Sequence, residues 1–157
     1  MKRVGLILIA SFALITCLAG IDYHARQKQT LATNQTELNQ AQQEAIRCSQ
    51  FSEANAPIKT HDACRLALQL NDNLIEPHLI LAKLYLSTNQ IGYAVTHLEQ
   101  AFKKSAPNSR QRFWTYVYFS EIALIKNQSQ QQQTFRLKAE RLAKSQGKPE
   151  WLALAFN

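Results

Sequence analysis

The alternation of apolar and polar positions divides the chain into segments of different character. After Lys2 and Arg3, every residue from Val4 to Ile21 is apolar or small, and Asp22 ends the run. Residues 22–43 are polar and rich in Gln, Asn and Thr, with neither Gly nor Pro. Leu31, Leu38 and Ala45 recur there at a spacing of seven, a thin seam on a polar helix. Beyond it, apolar residues return with helical spacing. Ile75 to Leu86 and Ile91 to Phe102 read as two helices joined by the polar turn Ser87-Thr88-Asn89-Gln90. Asn108 to about Lys126 reads as a strongly apolar helix. A polar tract, Asn127 to Gln133, follows as a long connection. A helix from about Gln131 to Gln146 then carries Phe135, Ala139 and Leu142 on one face, and Gly147 and Pro149 stop it. Trp151, Leu152, Leu154 and Phe156 form an apolar tail.

The Val4–Ile21 run is long enough to matter for localisation. As a helix it measures roughly 27 Å at about 1.5 Å per residue, close to a bilayer's hydrocarbon core. The basic pair before it favours a cytoplasmic N-terminus, with the remainder translocated. Three fates are open: an uncleaved anchor, a cleaved signal peptide with small residues near Ala19 and Gly20, or a lipoprotein acylated at Cys17. In the last case Thr16 stands where Gly, Ala or Ser is usual. The expected placement is a single-pass protein of a bacterial inner membrane with a periplasmic domain, and otherwise a soluble periplasmic protein or a lipoprotein. The expected organisation is residues 1–21 for export or anchoring, 22–40 as a helical spacer, and 41–157 as the folded domain.

Residues 75–107 resemble a tetratricopeptide repeat. With Ile75 as position 1, Leu81, Ala82 and Tyr85 fall at positions 7, 8 and 11, and Ala94, Leu98 and Ala101 at 20, 24 and 27. Small residues at 8, 20 and 27 let two helices approach closely, and large ones at 7, 11 and 24 fill the gaps. One repeat earlier, Cys48, Cys64 and Ala67 occupy positions 8, 24 and 27, with Ala56-Pro57 between the helices and Asn71-Asp72-Asn73 closing the unit. One repeat later, with Asn108 as position 1, Trp114, Thr115 and Tyr118 fall at 7, 8 and 11, and the unit is degenerate. The apolar tail is then a cap on the last helix pair, as terminal repeats require. The resemblance implies an all-α fold, a short right-handed solenoid of about three helix pairs after the N-terminal hydrophobic helix.

The resemblance also implies a binding groove lined by the first helix of each repeat, at positions 2, 5, 9 and 12. Here those positions are Glu76, Leu79, Lys83 and Leu86, then Ser109, Arg112, Tyr116 and Phe119. The mixture suits an amphipathic peptide, with apolar side chains for burial and Lys83 and Arg112 for charge. Positions 8 and 24 lie on facing surfaces of one helix pair, so Cys48 and Cys64 are expected to form a disulfide in an oxidising compartment. The alternative is two buried free thiols used as small apolar fillers.

Composition and charge narrow the functional classes. Apolar residues are 46% of the chain, enough for a packed core, and the four Gly and four Pro are few, as long helices require. The net charge of +7 is uneven. Residues 22–100 carry six Lys or Arg against eight Asp or Glu, whereas residues 101–157 carry ten against three. Arg141, Lys144 and Lys148 share one face of the last long helix, with Arg136 and Lys138 nearby. That is a solvated face favourable to the helix dipole, or a contact for an anionic partner. Translocation argues against nucleic acid. His61 with Cys48 and Cys64 gives three potential zinc ligands where a structural site wants four, so no metal is expected. No phosphate-binding Gly loop, nucleophile elbow or zinc-protease motif is present, and the carboxylates are dispersed. Neither catalysis nor a cofactor is expected. The resemblance implies an adaptor or scaffold for an envelope protein or peptide, of the kind used in pilus, secretion or cytochrome c maturation assemblies. The alternatives are an oligomerising structural protein that self-associates through the spacer, and an accessory subunit of a membrane-bound enzyme.

Overall fold

The structure is a computed structural model that describes residues 2–156, with side chains from Arg26 to Phe156. Among the described residues it is all-helical: α1 (Lys2–Glu53), α2 (Pro57–Leu70), α3 (Ile75–Ser87), α4 (Ile91–Lys104), α5 (Arg110–Ile125), α6 (Ser129–Ser145) and α7 (Glu150–Phe156). The chain divides into two units, Met1–Asn39 and Gln40–Asn157. The side chains of the Val4–Ile21 segment, Cys17 included, lie outside the described residues. Among those described, no helix is long and apolar enough to cross a membrane. In the first unit, Thr30, Thr33 and Thr36 donate to carbonyls one turn back, and Leu31 and Leu38 are exposed.

In the second unit, burial begins at Ala41, Glu44 and Cys48, which face inward from the end of α1. The most extensive helix contacts join α3 to α4 and α5 to α6. The contacts of α2 with α3, and of α5 with both α3 and α4, link these pairs. Ala82, Ala94 and Ala101 are wholly buried beside Leu98, and so is Ala67 on α2. With no side chain beyond Cβ at these points, the backbones close on each other and the neighbouring large residues fill the flanks. Leu81 packs on Cys48, Ala63 and Cys64, so α3 also covers the junction of α1 and α2.

Two kinds of connection recur. After α1, α3 and α5, a single asparagine in the left-handed region turns the chain: Asn55 at φ 52°, Asn89 at φ 57° and Asn127 at φ 56°. Asparagine tolerates this conformation better than other side chains do, and it recaptures the last helical carbonyls. The amide after each closes the turn: Ala56 N–H donates to Phe51, Gln90 N–H to Tyr85 and Gln128 N–H to Ala123. After α2 and α4 the chain leaves instead through an extended residue, Asn71 or Ser105. Asn55 and Asn89 are 34 residues apart, as are Asn71 and Ser105.

The third pair departs from this spacing. The polar tract from Asn127 to Gln133 is not a long connection: Asn127 makes the turn alone and α6 is helical from Ser129. Glutamine is a good helix former, so the tract adds a turn of helix instead of a loop. The α5 helix has 16 residues against 13 in α3. After α6 the chain turns at Gly147, φ 62°, into the seven-residue helix α7. Trp151, Leu152, Ala155 and Phe156 of α7 pack on the cluster formed by Phe113, Val117, Ala139, Leu142 and Ala143.

Candidate partner-binding groove

The end of α1 with α3, α5 and α7 encloses one open cavity of about 360 Å³. From α1 come Ser49, Ser52 and Glu53, and from α3 Glu76, Leu79, Ile80 and Lys83. From α5 come Arg110, Trp114, Tyr118 and Glu121, and from α7 Leu154 and Ala155. Leu79 is buried, and Ile80, Trp114 and Tyr118 are half-buried, giving an apolar floor. The charged residues stand exposed around it. Trp114 and Tyr118, one turn apart on α5, stack with ring centroids 5.9 Å apart at 29°. Burial raises the Tyr118 phenol well above its ordinary value, and the carboxylates of Glu121 and Glu76 add to that shift. Desolvation also raises the Glu121 carboxyl, against the pull of the Lys83 ammonium.

Three of the residues expected in the groove, Glu76, Leu79 and Lys83, line this cavity. Leu86 does not; it packs half-buried against the α3–α4 core. On α5 the expected register is displaced by two residues. Ser109 is not a groove residue but the N-cap of α5, its hydroxyl accepting from Arg112 N–H at 3.1 Å. Arg112 lies over the Phe102 ring at 3.7 Å and donates to the Ser105 carbonyl, with its Nε buried and unpartnered. Tyr116 and Phe119 turn to Phe102 of α4 and Phe135 of α6. Counting from Arg110, the true first residue of α5, places Trp114, Tyr118 and Glu121 at positions 5, 9 and 12. One residue of the shift arises because Ser105 to Ser109 separates α4 from α5 by five residues, whereas Asn71 to Leu74 separates α2 from α3 by four. The other arises because Asn108 follows Ile75 by 33 residues, one short of the 34-residue repeat.

The basic residues of α6 do not form one free face. Arg136 pairs with Glu140 at 3.3 Å and lies 4.7 Å above the Phe156 ring. Lys138 stands over Phe135 and Tyr116. Lys148 is not on the α6 face shared by Arg141 and Lys144; it lies past the end of α6, in the turn before α7, and pairs with Glu150 at 3.7 Å. Arg141 and Lys144 remain exposed on α6, in no ion pair among the described residues. Cys48 and Cys64 are joined in a disulfide, wholly buried, with Cα atoms 4.9 Å apart. The described residues hold no group of three His, Cys, Asp or Glu placed to bind a metal ion.

His61, His78 and His97 are connected. His61 of α2 contacts the Tyr85 hydroxyl at 3.1 Å, and Tyr85 stacks on His97 of α4. His97 Nδ1 lies 2.9 Å from His78 Nδ1 of α3. Such a contact holds one proton between two nitrogens, so at least one of the two rings is neutral. Burial, then the His97 and Lys104 charges, lowers His78 to about 4, and its Nε2 is buried without a partner. The grouping has no linear signature, because its members come from three helices.

No protein-family model matches the chain, and no curated protein or solved structure matches it at a significant level of similarity.

Proposed function

We propose that this chain is an adaptor of the tetratricopeptide type, held on the outer side of a bacterial inner membrane by its N-terminal segment. In this reading its folded unit grips a peptide or helix of an envelope protein. The observation that carries the proposal is the convergence of α1, α3, α5 and α7 on one cavity with an apolar floor and a charged rim. A concave surface built from alternate helices, with aromatic side chains half-exposed in it, suits a partner segment that contributes its own apolar anchors. The buried small residues at Ala82, Ala94 and Ala101 and the 34-residue interval between the turn residues Asn55 and Asn89 support a right-handed repeat solenoid as the underlying fold. The buried disulfide supports an oxidising compartment. The anchoring role rests on Lys2, Arg3 and the Val4–Ile21 run in the sequence.

The test is photo-crosslinking of the full-length chain in its host, with a benzophenone amino acid placed at Leu154 on the groove rim or at Tyr93 on α4 outside it. Both positions are exposed. Capture of a defined envelope protein from Leu154 but not from Tyr93 is the expected result. Equal capture from both, or none from Leu154, rejects the groove.

A further inference from the structure

The groove has a chemistry that narrows the partner. Its back wall is the stacked pair Trp114 and Tyr118. Glu76 of α3 and Glu121 of α5 flank that wall from opposite helices, and both act electrostatically on the Tyr118 hydroxyl. Among the described residues, neither carboxylate is in an ion pair or hydrogen bond. Lys83 and Arg110 also line the cavity, but neither forms an ion pair there. Lys83 is near enough to Glu121 to lower its pKa, and the lining as a whole carries three carboxylates, Glu53, Glu76 and Glu121, against two cations, Lys83 and Arg110. An aromatic face attracts a cation through its π electrons, and two adjacent carboxylates add charge-assisted hydrogen bonds.

From this geometry we infer that the partner segment inserts a Lys or Arg side chain over the Trp114–Tyr118 wall, between the carboxylates of Glu76 and Glu121. The inference rests on the groove reading and specifies its occupant: a basic amphipathic segment whose apolar residues meet Leu79 and Ile80. Placing a cation here satisfies carboxylates that the folded chain leaves unpaired, in a site partly removed from water where such contacts are stronger than at an open surface.

The experiment continues from the crosslink at Leu154. The captured segment is identified by mass spectrometry, synthesised, and titrated into the purified full-length chain by fluorescence anisotropy. A Lys or Arg close to the crosslinked residue is expected. Glu76→Gln and Glu121→Gln should each weaken binding about tenfold, the cost of one charge-assisted contact. Replacing that Lys or Arg by Gln should weaken binding to the unaltered chain about as much as the double Gln variant does, and should have little further effect on that variant. Circular dichroism should show unchanged helix content, since both glutamates are exposed. A captured segment that is acidic, with binding lost in Lys83→Gln and kept in Glu121→Gln, overturns this inference and leaves the groove reading standing. Failure of Leu154 to capture any segment overturns both.

Discussion

The two halves of the folded unit solve the same packing problem with different side chains. From α1 to α4, helices meet through small residues: Ala67, Ala82, Ala94 and Ala101 are wholly buried, and the disulfide between Cys48 and Cys64 fastens α1 to α2. From α5 to α7, the space is filled with rings. Phe113 is wholly buried against Trp114 and Trp151, and Tyr116, Phe119 and Phe135 stack in sequence beside Phe102. The first arrangement depends on close backbone approach and a covalent tie. The second depends on bulk, which tolerates a longer helix, a shifted register and a terminal helix of seven residues. The groove lies where they meet, with aliphatic residues from α3 and aromatic ones from α5.

The sharpest test of the aromatic half is Phe113→Ala. This ring is at the centre of the cluster that holds α5, α6 and α7 together, and its loss leaves a cavity that rigid neighbours cannot close. Chemical denaturation should register a loss of about 3–5 kcal/mol. A loss below about 1 kcal/mol would mean that bulk is not what holds this half.

The counterpart in the other half is removal of the disulfide. Its partners are 16 residues apart, and a loop of that size contributes about 3 kcal/mol through restriction of the unfolded chain. Replacing both Cys48 and Cys64 by Ser should lower stability by about that amount, and reductant should do the same to the unaltered protein but not to the Ser variant. Native protein in which alkylation finds both thiols free would remove the covalent tie from the comparison.

A smaller effect separates the halves by pH. The pair His78 and His97 belongs to the α3–α4 interface, and no histidine occurs in residues 98–157. Both histidines are lowered below their ordinary value, chiefly by burial, so the fold favours their neutral forms. Their contribution to stability is complete above about pH 6.5, the ordinary histidine value, and is lost as pH falls from there through about 4, the value for His78. The groups facing the pair are Lys104, Asp72, His61 and Tyr85; Lys104 adds to the lowering of His78, and Asp72 opposes it. Thermal melts between pH 7 and 4.5 should show a decline that is shallower in His78→Phe. Equal slopes in the two proteins would assign the acid sensitivity to other groups.

Much of this architecture was legible along the chain. The 3.6-residue apolar period depends on local spacing, which a helix converts directly into a face, and the resemblance to a tetratricopeptide repeat adds the close-approach alanines and the pairing of Cys48 with Cys64. So Leu81, Ala82, Leu98 and Ala101 declare their burial in sequence. The start of α5 was less legible, because one added linker residue, on top of a starting point at Asn108 one short of the 34-residue repeat, moves every side chain after it round the helix. Register is a cumulative property, so a displacement of two residues exchanged Arg112, Tyr116 and Phe119 for Trp114, Tyr118 and Glu121 in the groove. The Gln-rich tract before α6 misled for another reason: polar composition resembles a loop, but glutamine's helix propensity prevails once Asn127 has made the turn.

Among the described residues, the helices, most of their ends and their apolar faces could be read from the amino-acid order alone. Each of these follows from interactions within a few residues. The packing of the helices alone settles which of them share a cavity, that the exposed Arg136 and Lys138 lie over aromatic rings, and that His61, Tyr85, His97 and His78 form one connected group. Those outcomes depend on contacts between residues far apart in sequence, whose geometry is set by how closely each helix pair packs and by where each connection ends.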